Sequence, residues 1–308
     1  MDEMFAMNLS DLARSVFQAQ LERIKLNLDG CIEGADPIHL HDLRVANRRT
    51  RAALREFKML LPDEIYQKYK QDFRWIHQIT GPVRDLDVGL SHFPYYERKI
   101  SKNWRSDLTP ARELLESQRR DAQVELAAVL GSKRVEEIFS SWSELLKGGV
   151  LEGSEAALET AREFGCRRII KRYRKTRKQG LKLRKKSSPK KYHDLRLKVK
   201  KTRYLMEFFQ PVLEKEDTGR LRIELKKVQD ALGAYQDAGV QVVNLVQMAE
   251  VLQDTGAALN SILALGQLIG IYEKEIRRSR KKSLKAVRWL ISDAAVREFQ
   301  SCFKYPVA

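Results

Sequence analysis

Cysteine is scarce in this sequence, and long apolar runs are missing from it. The three cysteines, Cys31, Cys166 and Cys302, are odd in number, widely spaced and outside any metal-ligand pattern. Such a set argues against a disulfide scaffold and predicts reduced cytosolic thiols. No apolar run is long enough to cross a bilayer, so we expect no membrane insertion. Asp2 and Glu3 stand where a secretory leader carries cations, so we expect a cytoplasmic protein.

Acidic residues are too few to balance the basic ones. The chain has 58 Lys and Arg against 41 Asp and Glu, a net charge of +17, which predicts an anionic partner. Residues 1–150 carry 23 basic and 23 acidic side chains, whereas residues 151–308 carry 35 and 18. The densest stretch, residues 167–203, holds 19 Lys and Arg and a single acid, Asp194. Aromatic residues are only 8% and scattered, so a stacking platform for nucleic-acid bases is not evident.

An internal duplication is the most informative pattern that is present. The motif His41-Asp-Leu-Arg44 returns as His193-Asp-Leu-Arg196, and the same offset holds without a gap over roughly fifty positions. It also pairs Gly81 with Gly233, Asp85 with Asp237 and Val88 with Val240. We therefore expect one two-lobed unit over residues 1–308, made of repeats 1–150 and 151–308 about a pseudo-two-fold axis.

Apolar residues recur at three- and four-residue spacing, and alternating β-branched runs are missing, which predicts an all-α protein. A capping residue followed by proline predicts helix starts at Asp36-Pro37, Thr109-Pro110 and Ser188-Pro189. Long helices with short connections are typical of antiparallel bundles. The expected helices are 9–28, 37–61 and 63–80 in the first repeat, and 156–182, 189–213 and 217–232 in the second.

Each copy of the motif predicts a helix with basic side chains on one stripe and apolar side chains opposite. Like charges on one side of a helix repel each other unless an anion is near, which favours an anion-binding surface. The alternative interpretation of the stripe is an ordinary solvated helix face. The next helix of each repeat adds further basic residues. The candidate binding residues are His41, Arg44, Arg48, Arg51, Arg55, Lys70 and Arg74 in the first repeat, and His193, Arg196, Lys200, Arg203, Arg222 and Lys226 in the second. In the second copy Glu207 replaces Arg55 and ends the stripe a turn earlier.

The paired histidines, His41 and His193, also raise the possibility of a metal site. We disfavour it because a metal needs three or four His, Cys, Asp or Glu ligands, and the neighbours here are cations. An imidazole that donates a hydrogen bond to phosphate fits better, with a packing or capping role as the alternative. Asp85 and Asp237 are expected to cap a helix or brace an arginine. We expect no catalytic residue, metal or cofactor.

With both copies of His-Asp-Leu-Arg, and the Gly81…Arg84-Asp85 element, the chain resembles the CHAD domain family, the conserved histidine α-helical domain. The resemblance spans essentially the whole chain. It implies two pseudo-symmetric antiparallel helical bundles around a central basic groove or pore that binds long-chain inorganic polyphosphate without turnover. Gln236 stands where the first repeat has Arg84, which implies fewer contacts in the second half. Association with polyphosphate granules is one option for its location.

Two other functions stay open. A helical nucleic-acid binder is favoured by the basic charge but lacks recognisable DNA-reading motifs, so weak nucleic-acid binding is the expectation. A metal-dependent polyphosphate or triphosphate hydrolase would need a carboxylate cluster for Mg²⁺, where the expected groove offers cations. The oligomeric state is not predicted.

Overall fold

The chain is seen in a computed structural model that describes residues 7–213 and 215–303, with backbone alone for residues 215–217. Asp2 and Glu3, on which the expectation about export rests, lie outside these residues. Every regular element in the described ranges is a helix, and these ranges hold no β-strand, which confirms the all-helical fold class. The α-helices are α1 (Leu9–Glu33), α2 (Pro37–Glu56), α3 (Asp63–Ile79), α4 (Gly81–Ser91), α5 (Phe93–Lys99), α6 (Thr109–Leu130), α7 (Lys133–Lys147), α8 (Ala161–Gly180), α9 (Pro189–Phe208), α10 (Lys215–Asp254), α11 (Leu259–Ile291) and α12 (Asp293–Cys302).

The helix starts follow the capping signals in the sequence. The Asp36 carboxylate accepts a hydrogen bond from the backbone N–H of Ile38 at 2.8 Å, with Pro37 in the first turn of α2. α6 begins at Thr109 and α9 at Pro189, as expected. Between α1 and α2 the chain turns at Gly34, whose positive φ of 70° favours glycine. This turn makes α1 and α2 a tightly packed helical hairpin.

Both motif helices are shorter than we expected from the sequence. α2 ends at Glu56 and α9 at Phe208, and each is followed by a short 3₁₀ turn, Lys58–Leu60 and Gln210–Val212. A proline near each expected end explains why neither helix extends that far. Pro62 drives the preceding residue into extended backbone, and Pro211 has no N–H with which to continue α9. The motif helices therefore span 37–56 and 189–208 instead of 37–61 and 189–213.

The two repeats differ after the motif helix. In the first repeat α3 ends at Ile79, and α4 begins at Gly81, so Gly81 marks a helix boundary. In the second repeat α10 runs through Gly233 to Asp254, which is well beyond the expected end at residue 232. Gly233 therefore lies inside a helix, where it leaves room for the side chain of Arg196.

The described residues divide into two compact units. The first contains the described residues up to Gly89 together with Glu116–Gly165 and Glu207–Leu213. The second contains Leu90–Leu115, Cys166–Met206 and the described residues after 214. These units differ from the sequence halves 1–150 and 151–308, and the boundary between the repeats stays a prediction.

Each unit has its own aromatic core. In the first unit the buried Trp142 packs its ring against Phe17 and Tyr69, with centroid separations of 5.1 and 4.4 Å. In the second unit the rings of Tyr173 and Phe299 stack at 3.7 Å. These contacts join α1, α3 and α7 in the first unit and α8 and α12 in the second. None of the helices within the described ranges combines the length and the apolar character needed to cross a membrane.

Candidate functional site

The basic stripe of the first unit runs along α2, opposite its buried face. Leu43, Ala46 and Thr50 are essentially inaccessible to solvent. Of the stripe residues, His41, Arg44, Arg48 and Arg51 are half-buried and Arg55 is exposed. The stripe is therefore a partly desolvated strip of cations at the edge of a packed helix face, where charges are screened less than on an open surface.

Arg44 is the anchored member of the stripe. One guanidinium nitrogen donates to the carbonyl oxygen of His77 at 2.8 Å and to the hydroxyl of Thr80 at 2.7 Å, both at the end of α3. Burial lowers the pKa of Arg44, Asp85 acts in the opposite direction, and Arg48 lowers this pKa further. Asp85 therefore favours the charged form of Arg44, which is consistent with bracing, one of the two roles expected for this position.

His41 lies among cations at the N-terminal end of the stripe. Burial lowers its pKa first, and Arg84 lowers it next; Asp42 raises it and Arg48 lowers it. The imidazole is therefore biased towards its neutral form until a negative charge arrives nearby. Arg84, on α4, is absent from the candidate binding residues, although the Gly81…Arg84-Asp85 element contained the signal that could have found it.

Arg51 connects the stripe to α3. Burial lowers the pKa of Arg51, and the nearby charges of Arg55 and Arg74 lower it further. Arg74 is thus within electrostatic range of the stripe. Lys70, one turn earlier on α3, instead donates to the side chain of Gln67 at 3.1 Å and lies over the ring of Tyr66. Its role as a binding residue stays a prediction.

The second unit repeats the anchored arginine with different partners. Arg196 lies 3.7 Å from the carboxylate of Asp237, the position equivalent to Asp85. A Cβ atom placed on Gly233 would stand 3.3 Å from Nε of Arg196, so the glycine leaves room for the guanidinium against α10. In the first unit, a Cβ atom placed on Gly81 would stand 3.9 Å from Nη1 of Arg44, which is a looser approach. Nε of Arg196 is buried and has no hydrogen-bond partner among the described residues.

The other candidate residues of the second unit lie on α9 and α10. Arg203 donates to the side chain of Gln229 at 3.1 Å, which ties α9 to α10, and Lys200 lies over the ring of Tyr204. The imidazole Nδ1 of His193 is buried and has no hydrogen-bond partner within the described ranges. On α10, Arg222 is half-buried and Lys226 is exposed. Their participation in binding stays a prediction.

Two other arginines are engaged in packing. Arg119 on α6 donates to Asp87 at 3.1 Å and to the carbonyl of Gly34 at 2.6 Å. Arg49, on α2, forms an ion pair with Glu207. All three interactions lie within the first unit, so these cations stabilise the fold. The described residues contain no group of three or more His, Cys, Asp or Glu side chains placed to hold a metal ion.

Comparison with known proteins gives a family and a fold. The model of the CHAD domain matches residues 15–245. The crystal structure of the CHAD domain from the plant Ricinus communis is similar, with a TM-score of 0.75, 23% identity and coverage of 93% of this chain and 92% of that chain. PptA from Streptomyces chartreusis is similar with a TM-score of 0.66, 16% identity and coverage of 91% and 99%. At these identities the two structures bear on the fold alone. No curated protein matches this chain.

Proposed function

Because this chain belongs to the CHAD domain family, we propose that it binds long-chain inorganic polyphosphate, without hydrolysing it, through the basic stripes of α2 and α9. The observation that carries the proposal is the half-buried cationic strip around His41, Arg44 and Arg51. Burial lowers the pKa of each of the three, and the charges of neighbouring arginines lower it further by repulsion. Such mutual repulsion is relieved by a ligand that brings a row of negative charges.

Polyphosphate has the matching chemistry. Its charges repeat along a flexible chain, and arginine can bind phosphate oxygens in a bidentate manner through charge-assisted hydrogen bonds. The anchoring of Arg44 by His77 and Thr80 places its guanidinium before the ligand arrives, which reduces the ordering cost of binding. We expect affinity to increase with chain length and to fall steeply with salt, by counterion release of the kind known for DNA. That both stripes line one central groove stays a prediction.

The decisive experiment is a titration with long-chain polyphosphate at about physiological salt, competed by double-stranded DNA of equal total charge. Tight binding that survives the DNA supports the proposal. Equal displacement by DNA would favour the second candidate, a nucleic-acid binder, which the net charge of +17 supports.

A parallel incubation with Mg²⁺ monitors released phosphate. Phosphate release that stops on addition of a chelator would overturn the non-catalytic part of the proposal and favour a metal-dependent hydrolase.

A further inference from the structure

A second cluster of cations lies in the lysine-rich stretch of the sequence, away from the basic stripe. The C-terminal half of α8, the turn after it and the first half of α9 border a half-open pocket of about 460 Å³. Five lysines line it, and we name it the lysine pocket: Lys175, Lys178, Lys182, Lys191 and Lys198. All of them belong to the second compact unit. This volume is within the range of small-molecule sites.

The lysine pocket faces away from the stripe on α9. Lys191 and Lys198 are seven residues apart, so they share one side of the helix. Lys198 is two positions from both Arg196 and Lys200, which places it about 200° around the helix axis from each of them. A ligand in the pocket therefore does not occupy the stripe. The pocket needs a separate explanation.

The pocket lysines form no ion pair with an acidic side chain of the described residues. Within the described residues none of the five forms an ion pair, and Asp194, the one acid of residues 167–203, pairs instead with Lys190 at 3.3 Å. The partial negative charge at the C-terminus of α8 is worth about half an elementary charge, and the N-terminus of α9 offsets it with a similar positive charge. Several positive charges thus remain around one small cavity.

The pocket wall is already ordered on its loop side. The hydroxyl of Tyr192 donates to the carbonyl of Arg184 at 3.2 Å, and Arg280 donates to the carbonyl of Ser187 at 2.6 Å. The backbone N–H of Arg184 donates to the Ser187 hydroxyl at 3.0 Å. These bonds hold the turn between α8 and α9, with Leu183 buried at the pocket wall. Ligand binding then orders mainly lysine side chains.

The lining chemistry selects the ligand. Each lysine ammonium offers three donors in a compact charge that suits phosphate oxygens approaching from many directions. A phosphate group carries about one to two negative charges at neutral pH, so about three linked phosphates balance five lysines within the available volume. The lining has no aromatic ring on which a nucleobase would stack, and a nucleic-acid duplex is too wide for the pocket.

We propose that the lysine pocket is a second anion site, which takes an oligophosphate group of about three phosphates. The group comes either from short inorganic polyphosphate or from the phosphate chain of a nucleotide. The inference does not rest on the proposed function, because the pocket and the stripe lie on opposite sides of α9.

Calorimetric titration of the full chain with tripolyphosphate, without divalent metal, tests the site. The variant Lys178→Gln/Lys182→Gln/Lys191→Gln changes three exposed side chains and is expected to weaken binding at least tenfold. The control Lys274→Gln/Lys282→Gln/Lys285→Gln removes the same charge from exposed positions of α11 and is expected to change affinity less than twofold. An equal loss in both variants, or no binding by the native chain, overturns the inference. The circular dichroism of each variant reports whether its helices are intact.

A second titration, with ATP in place of tripolyphosphate, distinguishes the two sources of phosphate. Equal affinities for ATP and tripolyphosphate, both lost in the pocket variant, indicate recognition of the phosphate chain alone. ATP binding that is tighter than tripolyphosphate and lost in the same variant identifies a nucleotide. The stripe variant Arg48→Glu/Lys200→Glu should retain tripolyphosphate binding at the pocket even where it loses long-chain polyphosphate. A variant that loses only long-chain binding therefore tests the proposed function of the stripe. A variant that loses only tripolyphosphate binding tests the proposal for the lysine pocket.

Discussion

Arg49 and Glu207 form an ion pair with 2.6 Å between Nη1 and Oε2, and both side chains are largely buried in the first compact unit. Glu207 is the residue that replaces an arginine in the second copy of the stripe. Its charge is therefore engaged in packing α2 against the end of α9, where the Arg49 guanidinium also lies over the ring of Phe208. The departure from the repeat has a structural explanation.

Glu207→Gln is expected to lower the free energy of unfolding by about 1–3 kcal/mol, because it removes the largely buried ion pair between Arg49 and Glu207. Urea denaturation measures this loss. The control is Glu144→Gln, whose ion pair with Lys147 is exposed and should cost less than about 0.5 kcal/mol. Equal denaturation midpoints for the two variants would contradict the structural role of Glu207.

Arg48→Glu/Lys200→Glu is expected to weaken long-chain polyphosphate binding by about 100-fold or more, because two attractive charges on the stripes become repulsive. Helicity measured by circular dichroism should not change. Lys282→Glu/Lys285→Glu makes the same change in net charge on exposed positions of α11 and is the matched control. If both variants bind equally weakly, affinity follows net charge alone and the stripe assignment is wrong.

His41 is expected to titrate below its ordinary value in the free protein, because burial and Arg84 lower its pKa. The native state then binds fewer protons than the unfolded state, so the stability due to His41 is present above pH 6.5 and is lost as pH falls through the lowered pKa. Polyphosphate should raise this pKa, so binding should strengthen as the solution is acidified. An NMR titration of the imidazole with and without polyphosphate measures both shifts.

The variant His41→Gln should remove that part of the pH dependence of binding. An imidazole pKa that does not change when polyphosphate is added would show that His41 lies away from the ligand.

Gly165→Ala is expected to destabilise the first unit by about 1–3 kcal/mol. A Cβ atom at this position would lie 2.4 Å from Cδ1 and 3.2 Å from Cβ of the fully buried Phe209, whose ring also packs against Phe57 and Phe164. Gly266→Ala meets nothing within 4 Å in the interior of α11 and should stabilise by about 0.5–1 kcal/mol. The melting temperatures of the two variants should shift in opposite directions. Shifts in the same direction would contradict the close packing of Gly165 against Phe209.

Much of the candidate site could be predicted, because a helix repeats its geometry every few residues. The position of His41 and Arg44 on one side of α2 follows from residue spacing alone. The partners of Arg44 do not, because His77 and Thr80 accept its hydrogen bonds only where α3 ends. In the second repeat α10 does not end at the position equivalent to the end of α3, so its backbone carbonyls there remain bonded within the helix. Arg196 lies against Gly233 and Asp237 instead.

The helical class, the family, the duplicated basic stripes and the starts of α2 and α9 could be predicted from the sequence, because these features depend on local spacing and backbone chemistry. Helix packing was needed to bring Arg84 close enough to His41 to lower its pKa, to pair Arg49 with Glu207, and to gather five lysines of α8, α9 and the turn between them around one pocket. The physical reason is that spacing sets the direction of a side chain around its own helix axis. Which neighbouring helix that side chain meets depends on the packing of the whole core.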